Sequence, residues 1–217
     1  GLALALMRLS RNPQLRLPGG PMVGLAVSGP ATVFVQAVRS SPLFMLIIFT
    51  FVAAPRLGLN LTPLWAGIVA LTLYTSSVLA EIVRAGILSL DRGQFEAADA
   101  LGLSYLKKLR FVVLPQALRR MVPAVVSQLV TLIKDTSLLS FITVIELTRR
   151  LQILQQAYFN PIESWVVGAL FYFVINYALS SFARRLEVRP TRVGPAGAAI
   201  RGIGAEDQTI IVTAPRR

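Results

Sequence analysis

Long apolar runs, separated by short basic segments, set the plan of this chain. Leu64–Val83 (LWAGIVALTLYTSSVLAEIV), Met121–Ile145 and Trp165–Phe182 each hold enough apolar residues to cross a bilayer, for which about twenty suffice. Leu43–Ala54 (LFMLIIFTFVAA) is shorter, and with Val38–Pro42 before it and Pro55–Leu61 after it predicts one further span. Thr62-Pro63 supplies a helix start, since proline at the first helical position lacks only an N–H that would be unpaired anyway. Met22–Val38 is apolar but carries Gly24, Gly29 and Pro30, and reads as a helix lying near the membrane surface. The opening GLALALM reads as the end of a hydrophobic segment truncated at its start, which makes about five spans in an intact chain. The fold class expected is therefore an all-α integral membrane protein.

Between the second and third full spans, residues 84–120 are polar and locally well punctuated. Asp91 can cap a helix by accepting from first-turn N–H groups. Phe95, Ala98 and Leu101 then fall on one face, and Gly102 stands where a helix commonly ends in a left-handed residue. Ser104 can cap a second short helix to about Phe111, which Pro115 stops or kinks. Physical reasoning leaves two jobs open for this helix–turn–helix: a surface that receives a push from a cytosolic partner, or an amphipathic helix resting on lipid headgroups.

Charge fixes an expected orientation. The chain holds 22 Lys and Arg against 10 Asp and Glu, and the basic residues collect in the Arg8–Arg16 loop, in 84–120 and after Phe182. Cytoplasmic loops of membrane proteins gather Lys and Arg in this way, so these three segments are expected inside. The loops near Pro55 and over 146–164 are expected outside. A net charge of +12 also fits nucleic acid, but the basic residues alternate with spans and no soluble domain is available to carry such a function. Residues 189–217, a Gly, Ala, Pro and Arg mixture without apolar period, predict a cytoplasmic and disordered tail. The absence of Cys and His removes thiolate metal sites, a Cys nucleophile and the commonest catalytic base.

Ionisable and hydroxylated residues inside the spans are the candidates for a translocation pathway. Lys134 and Asp135 lie roughly 21 Å along a helix from Arg120, where ionisable groups usually face a cavity or one another. Neighbours on a helix point apart, so at least one of them is expected to have a partner elsewhere; a structural ion pair between spans is the alternative. Tyr74 and Ser77, in a polar belt with Thr75 and Ser76, and Gln128, Thr131, Asp135, Thr136 and Ser137 complete the set. Glu81 and Arg84, three apart, are read as a structural pair.

Glu96-Ala97-Ala98, three residues, Gly102, nine residues, Val112, one residue, Leu114-Pro115 resembles the EAA loop of ABC importer permeases, with Val112 where that pattern usually has Ile. Arg39-Ser40-Ser41-Pro42-Leu43, Tyr74–Ile87 and Ile133–Ile142 (IKDTSLLSFI) are similar, in order, to stretches of the polar amino acid permeases (histidine, glutamine and arginine type). The resemblance covers about residues 39 to 185; Leu17–Val35 is more Gly- and Pro-rich than the family pattern. It implies a type I ABC importer transmembrane domain over residues 1–188 with a coupling loop at about 91–115. It implies a non-catalytic subunit without a cofactor of its own, ATP and Mg being bound by the partner ATPase. The implied partners are a second permease, two cytosolic ATPase subunits, a periplasmic or surface binding protein and membrane lipid, in a bacterial inner membrane. Phe95, Glu96, Ala97, Ala98, Leu101, Gly102, Leu114 and Pro115 would couple to the ATPase. The alternatives are an importer for another small zwitterion such as an opine, or a membrane scaffold that does not transport.

Overall fold

The computed structural model describes residues 1–9 and 20–186, and all regular structure among them is helical. The tail over 189–217 and the Arg11–Arg16 part of the first basic loop lie outside the described residues. The helices are α1 (Leu2–Leu9), α2 (Gly20–Ser40), α3 (Leu43–Arg56), α4 (Pro63–Leu88), α5 (Arg92–Ala100) and α6 (Tyr105–Lys108). A π turn, Leu109–Val113, leads into α7 (Leu114–Asp135) and a 3-10 turn, Thr136–Ile142; α8 (Leu147–Tyr158) and α9 (Pro161–Leu186) follow.

The centre of the fold is α4, packed against α1, α2, α3 and α7. Its entry is as expected, with Thr62 Oγ1 accepting from Trp65 N–H and Pro63 in the first turn. Small residues explain how one helix meets four neighbours: Ala66, Ala70 and Ala80 are fully buried. At Gly86 an added Cβ would stand 2.2 Å from Met121 Cγ, so backbone and side chain touch directly. Interfaces of membrane helices use small residues for this close approach, since burial from lipid provides little hydrophobic gain. By contrast α9 is mostly exposed, with Val166, Leu170, Phe173 and Val174 all on its open side.

Among the described residues, three helical segments are long and apolar enough to cross a membrane: Pro63–Leu88, Tyr105–Ile142 and Pro161–Phe182. The span expected over residues 38–61 is not one helix. Ser28–Ser40 and Leu43–Arg56 meet at a bend of 105° and count as a fourth span only when taken together. Pro42 explains the break, because its ring disfavours helical backbone at Ser41 and Pro42 itself is extended (φ −59, ψ 131). The Met22–Val38 segment, expected as a helix near the membrane surface, lies in α2 and packs on α1 and α4, burying Ala31 and Val35.

Two further expectations are corrected. Pro115 ends nothing: it sits in the first turn of α7, and the segment runs on from Tyr105. The π turn immediately before it has the wider backbone that accommodates the ring and the missing donor. The second short helix expected through Phe111 is therefore four residues, merged into a long one. Residues 146–164, expected as a loop, contain α8, capped by Glu146, whose carboxylate accepts from Arg149 N–H at 2.7 Å and Thr148 N–H at 2.8 Å. Tyr172 on α9 donates to the same carboxylate.

Candidate functional site

The polar element between α4 and α7 is built as its capping residues dictate. Asp91 Oδ1 accepts from Gly93 N–H at 2.8 Å, opening the nine-residue α5. Its end is a Schellman turn: Gly102 N–H donates to Asp99 O and Leu103 N–H to Ala98 O, with Gly102 at φ +66. That left-handed backbone is what glycine adopts without a Cβ penalty.

The residues predicted to couple divide into two sets. Phe95 and Ala98 are buried at 3% and 2% exposure; Phe95 enters a cluster with Ile87, Leu90, Leu109, Val113 and Met121, and Leu114 packs against that cluster. Glu96, Ala97, Gly102 and Pro115 are exposed. Leu101 was expected on the Phe95–Ala98 face, but it is 77% exposed. It lies one residue past the last helical turn, as the C-cap, where the backbone no longer follows the 3.6 period. So α5 hangs by Phe95 and Ala98 and presents Glu96, Ala97 and Leu101 outward.

Sequence reasoning missed three ties that hold this element. Lys108, buried on α6, is ion-paired to Asp99 on α5. Gln116 Nε2 on α7 donates to Gln94 Oε1 at 2.7 Å. Arg120 Nη1 donates to the carbonyl of Ser89. No local pattern singles these out, because each pairs residues that lie nine or more positions apart.

Within the helices, a cavity of about 770 Å³ collects Tyr74, Gln128, Thr131 and Asp135. The three from α7 are spaced three and four apart and so share one face. Arg39 and Gln36 from the end of α2 join them. The other pathway candidates do not line this space. Ser77 is fully buried and donates to Tyr74 O at 2.7 Å, a back-bond within α4. Thr136 donates to Ile133 O and lines a separate, more apolar cavity of about 340 Å³ with Thr75. Lys134 is exposed, and Ser137 accepts through its carbonyl from Ser140 Oγ. Among the described residues neither Lys134 nor Asp135 takes part in an ion pair.

Below the Tyr74 level, Glu81 gathers three cations. Arg84 Nε donates to Glu81 Oε1 at 2.7 Å, the pair expected from spacing. Arg8 from α1 also donates to the carboxylate, and Arg39 Nη1 stands 3.5 Å from Oε2. One acid thus joins α1, α2 and α4, and one of its arginines also lines the cavity. Among the described residues no group of three His, Cys, Asp or Glu is placed to hold a metal ion.

Residues 22–192 match the family described as binding-protein-dependent transport system inner membrane component. A probable glutamine ABC transporter permease protein of Bacillus subtilis (strain 168) is 49% identical over 164 residues, 73% of this chain and 74% of that protein. The glutamine transport system permease protein of Escherichia coli (strain K12) is 37% identical over 188 residues, 81% of this chain and 86% of that protein. Among solved structures, an amino acid ABC transporter with histidines matches with a TM-score of 0.73 and 28% identity over 87% of each chain. An inward-facing MetNI methionine ABC transporter matches at 0.61 and 22% identity over 84% of each chain, a likeness of fold.

Proposed function

Since the chain belongs to the family of binding-protein-dependent transport inner membrane components, we propose that it is the permease of an ATP-driven importer of polar amino acids. The relatives named for glutamine transport support that substrate class. The observation that carries the mechanism is one continuous helical segment, Tyr105–Ile142. Its first turns, from Tyr105, are tied to α5; its far end holds Gln128, Thr131 and Asp135 in the wall of the polar cavity.

In this reading two cytosolic ATPase subunits dock on the outward residues of α5, namely Glu96, Ala97, Leu101 and Gly102. Phe95, Ala98 and Leu114 pass the movement inward through the cluster they share. A load applied at α5 displaces α7 and reshapes the cavity, which a zwitterion enters from the binding protein. Arg39 and Asp135 supply opposite charges there, and Gln36, Gln128 and Thr131 supply neutral donors and acceptors. ATP and its Mg are held by the partner subunits; this chain contributes path and coupling. A second permease copy or homologue completes the membrane pathway. The basic segments, with α5 among them, face the cytoplasm of a bacterial cell.

The test is reconstitution in lipid vesicles with candidate ATPase and binding-protein partners, followed by an uptake screen of polar amino acids. ATP-dependent uptake of at least one is expected. Absence of uptake for all of them, with an assembled complex that hydrolyses ATP, defeats the substrate assignment; absence of any co-purifying ATPase defeats the coupling assignment.

A further inference from the structure

Lys108 is an anomaly in an otherwise well-solvated element. It is 7% exposed, whereas a lysine ammonium is strongly hydrated and almost never buried unless paired. Its partner is Asp99, itself largely exposed and on the neighbouring helix. We infer that Lys108 is a positioning residue that fixes the angle between α5 and the long helix beginning at Tyr105, so that movement of α5 is delivered to α7. This inference rests on the reading of α5 as the docking helix.

The geometry of the turn is what creates the need. Between α5 and α6 the chain reverses over Leu101–Ser104, with Gly102 left-handed and Ser104 making no side-chain cap. Such a turn sets a rough direction and little else. Phe95 seals the interior side, but apolar contact is non-directional and tolerates rotation of α5 about its own plug. An ion pair between a buried ammonium and a carboxylate on the facing helix is directional, and it closes the open end of the turn. Gln94–Gln116, at 2.7 Å, ties the other end of α5 to α7. The two links bracket the helix: Gln94 in its first turn and Asp99 in its last.

The π turn Leu109–Val113 begins at the residue after Lys108. A π turn carries an extra residue relative to α-helix, so it resets which face of the long helix points at α5. Lys107 is exposed and Lys108 buried, and the second is ion-paired to Asp99.

The chain has no cysteine, so spin labels can be attached at cysteines introduced at exposed Ala100 on α5 and exposed Leu118 on α7. Distances between them, measured in the lipid-embedded permease alone, are expected to be narrowly distributed. Lys108→Met and Asp99→Asn should each broaden the distribution, and Lys108→Arg should restore it. In the complex with ATPase and binding protein, Lys108→Met should lower substrate taken up per ATP hydrolysed roughly tenfold, within the usual span of coupling between sites. Hydrolysis itself should persist, and Lys108→Arg should recover most of the ratio. An unchanged distance distribution in both variants overturns the lock. A broadened one with wild-type uptake per ATP overturns its part in transmission. Should Lys108→Met fail to insert, Asp99→Asn, altering an exposed carboxylate, decides alone. A wild-type complex that neither hydrolyses nor transports removes the importer reading, while the label distances still decide whether Lys108 holds α5.

Discussion

Arg39 Nη1 lies 3.5 Å from Glu81 Oε2, and the same residue lines the polar cavity. Glu81 is already bonded by Arg8 and Arg84, so Arg39 is the least committed of its three cations and also the most exposed.

Glu81→Gln should therefore destabilise the helix bundle more than Arg39→Gln does. Removing the acid leaves Arg8 and Arg84 without their shared partner; removing Arg39 leaves both of their bonds in place. Breaking a fully buried pair costs about 3–5 kcal/mol, and solvent access at Arg84 and Arg39 reduces that. A loss of roughly 2 kcal/mol is expected for Glu81→Gln, on those principles, read from thermal unfolding in detergent. Equal melting of the two variants would show that Arg39 is as firmly held as the others.

Gly102→Ala isolates a backbone effect. Nothing lies within 4 Å of the position a Cβ would occupy, so no clash is created. The left-handed conformation alone costs about 1–2 kcal/mol for an L side chain. The turn between α5 and α6 should loosen, with a measurable fall in uptake per ATP. Gly102→Pro cannot adopt positive φ and should uncouple ATP hydrolysis from uptake while leaving the protein in the membrane.

Asp135→Asn and Ser77→Ala test the cavity. Among the described residues Asp135 lines it without an ion-pair partner, whereas Ser77 is spent on a back-bond inside α4. A charged hydrogen bond contributes about 1.5–3 kcal/mol, so Asp135→Asn should raise the transport KM roughly tenfold or more. Ser77→Ala should leave it within about twofold. A similar KM for both variants would remove Asp135 from the pathway.

Gly168→Ala should destabilise the junction of α8 and α9. The new Cβ would stand 2.2 Å from Leu151 Cδ1, and overpacking of this kind costs about 1–3 kcal/mol. Combining it with Leu151→Ala should recover part of the loss, since the same space is then filled from the other side. Additive destabilisation in the double variant would mean that the two residues do not compete for that space.

Much of the architecture could be read from apolar length and from caps. Thr62-Pro63 opens α4, Asp91 opens α5 and Gly102 closes it, because each signal acts within one turn of itself. Legibility fails where the decisive neighbour is distant or the helical period changes. Leu101 is exposed because the helix ends one residue before it, a boundary that periodicity does not reveal. Lys107 and Lys108 look alike in sequence, and the burial of the second depends on Asp99 and on packing against α5, neither of which is a local signal. Within the pathway set, Gln128, Thr131 and Asp135 come together because they obey the helical period. Ser77 and Thr136 bond to their own helix, an option that every membrane serine or threonine has. Glu146 is a less common cap than Ser or Asp, so the start of α8 carries a weak signal in sequence.

The break at Ser41-Pro42 has a consequence for water. Non-helical backbone at bilayer depth is tolerated only where protein covers it or a wet space adjoins it. Ser41 Oγ satisfies one orphaned carbonyl, that of Ala37 at 2.9 Å. Ser40, Pro42 and Leu43 open onto the same cavity as Asp135. Water entering that cavity would therefore do more than dissolve a passing solute: it would also solvate the backbone groups that the kink leaves unpaired.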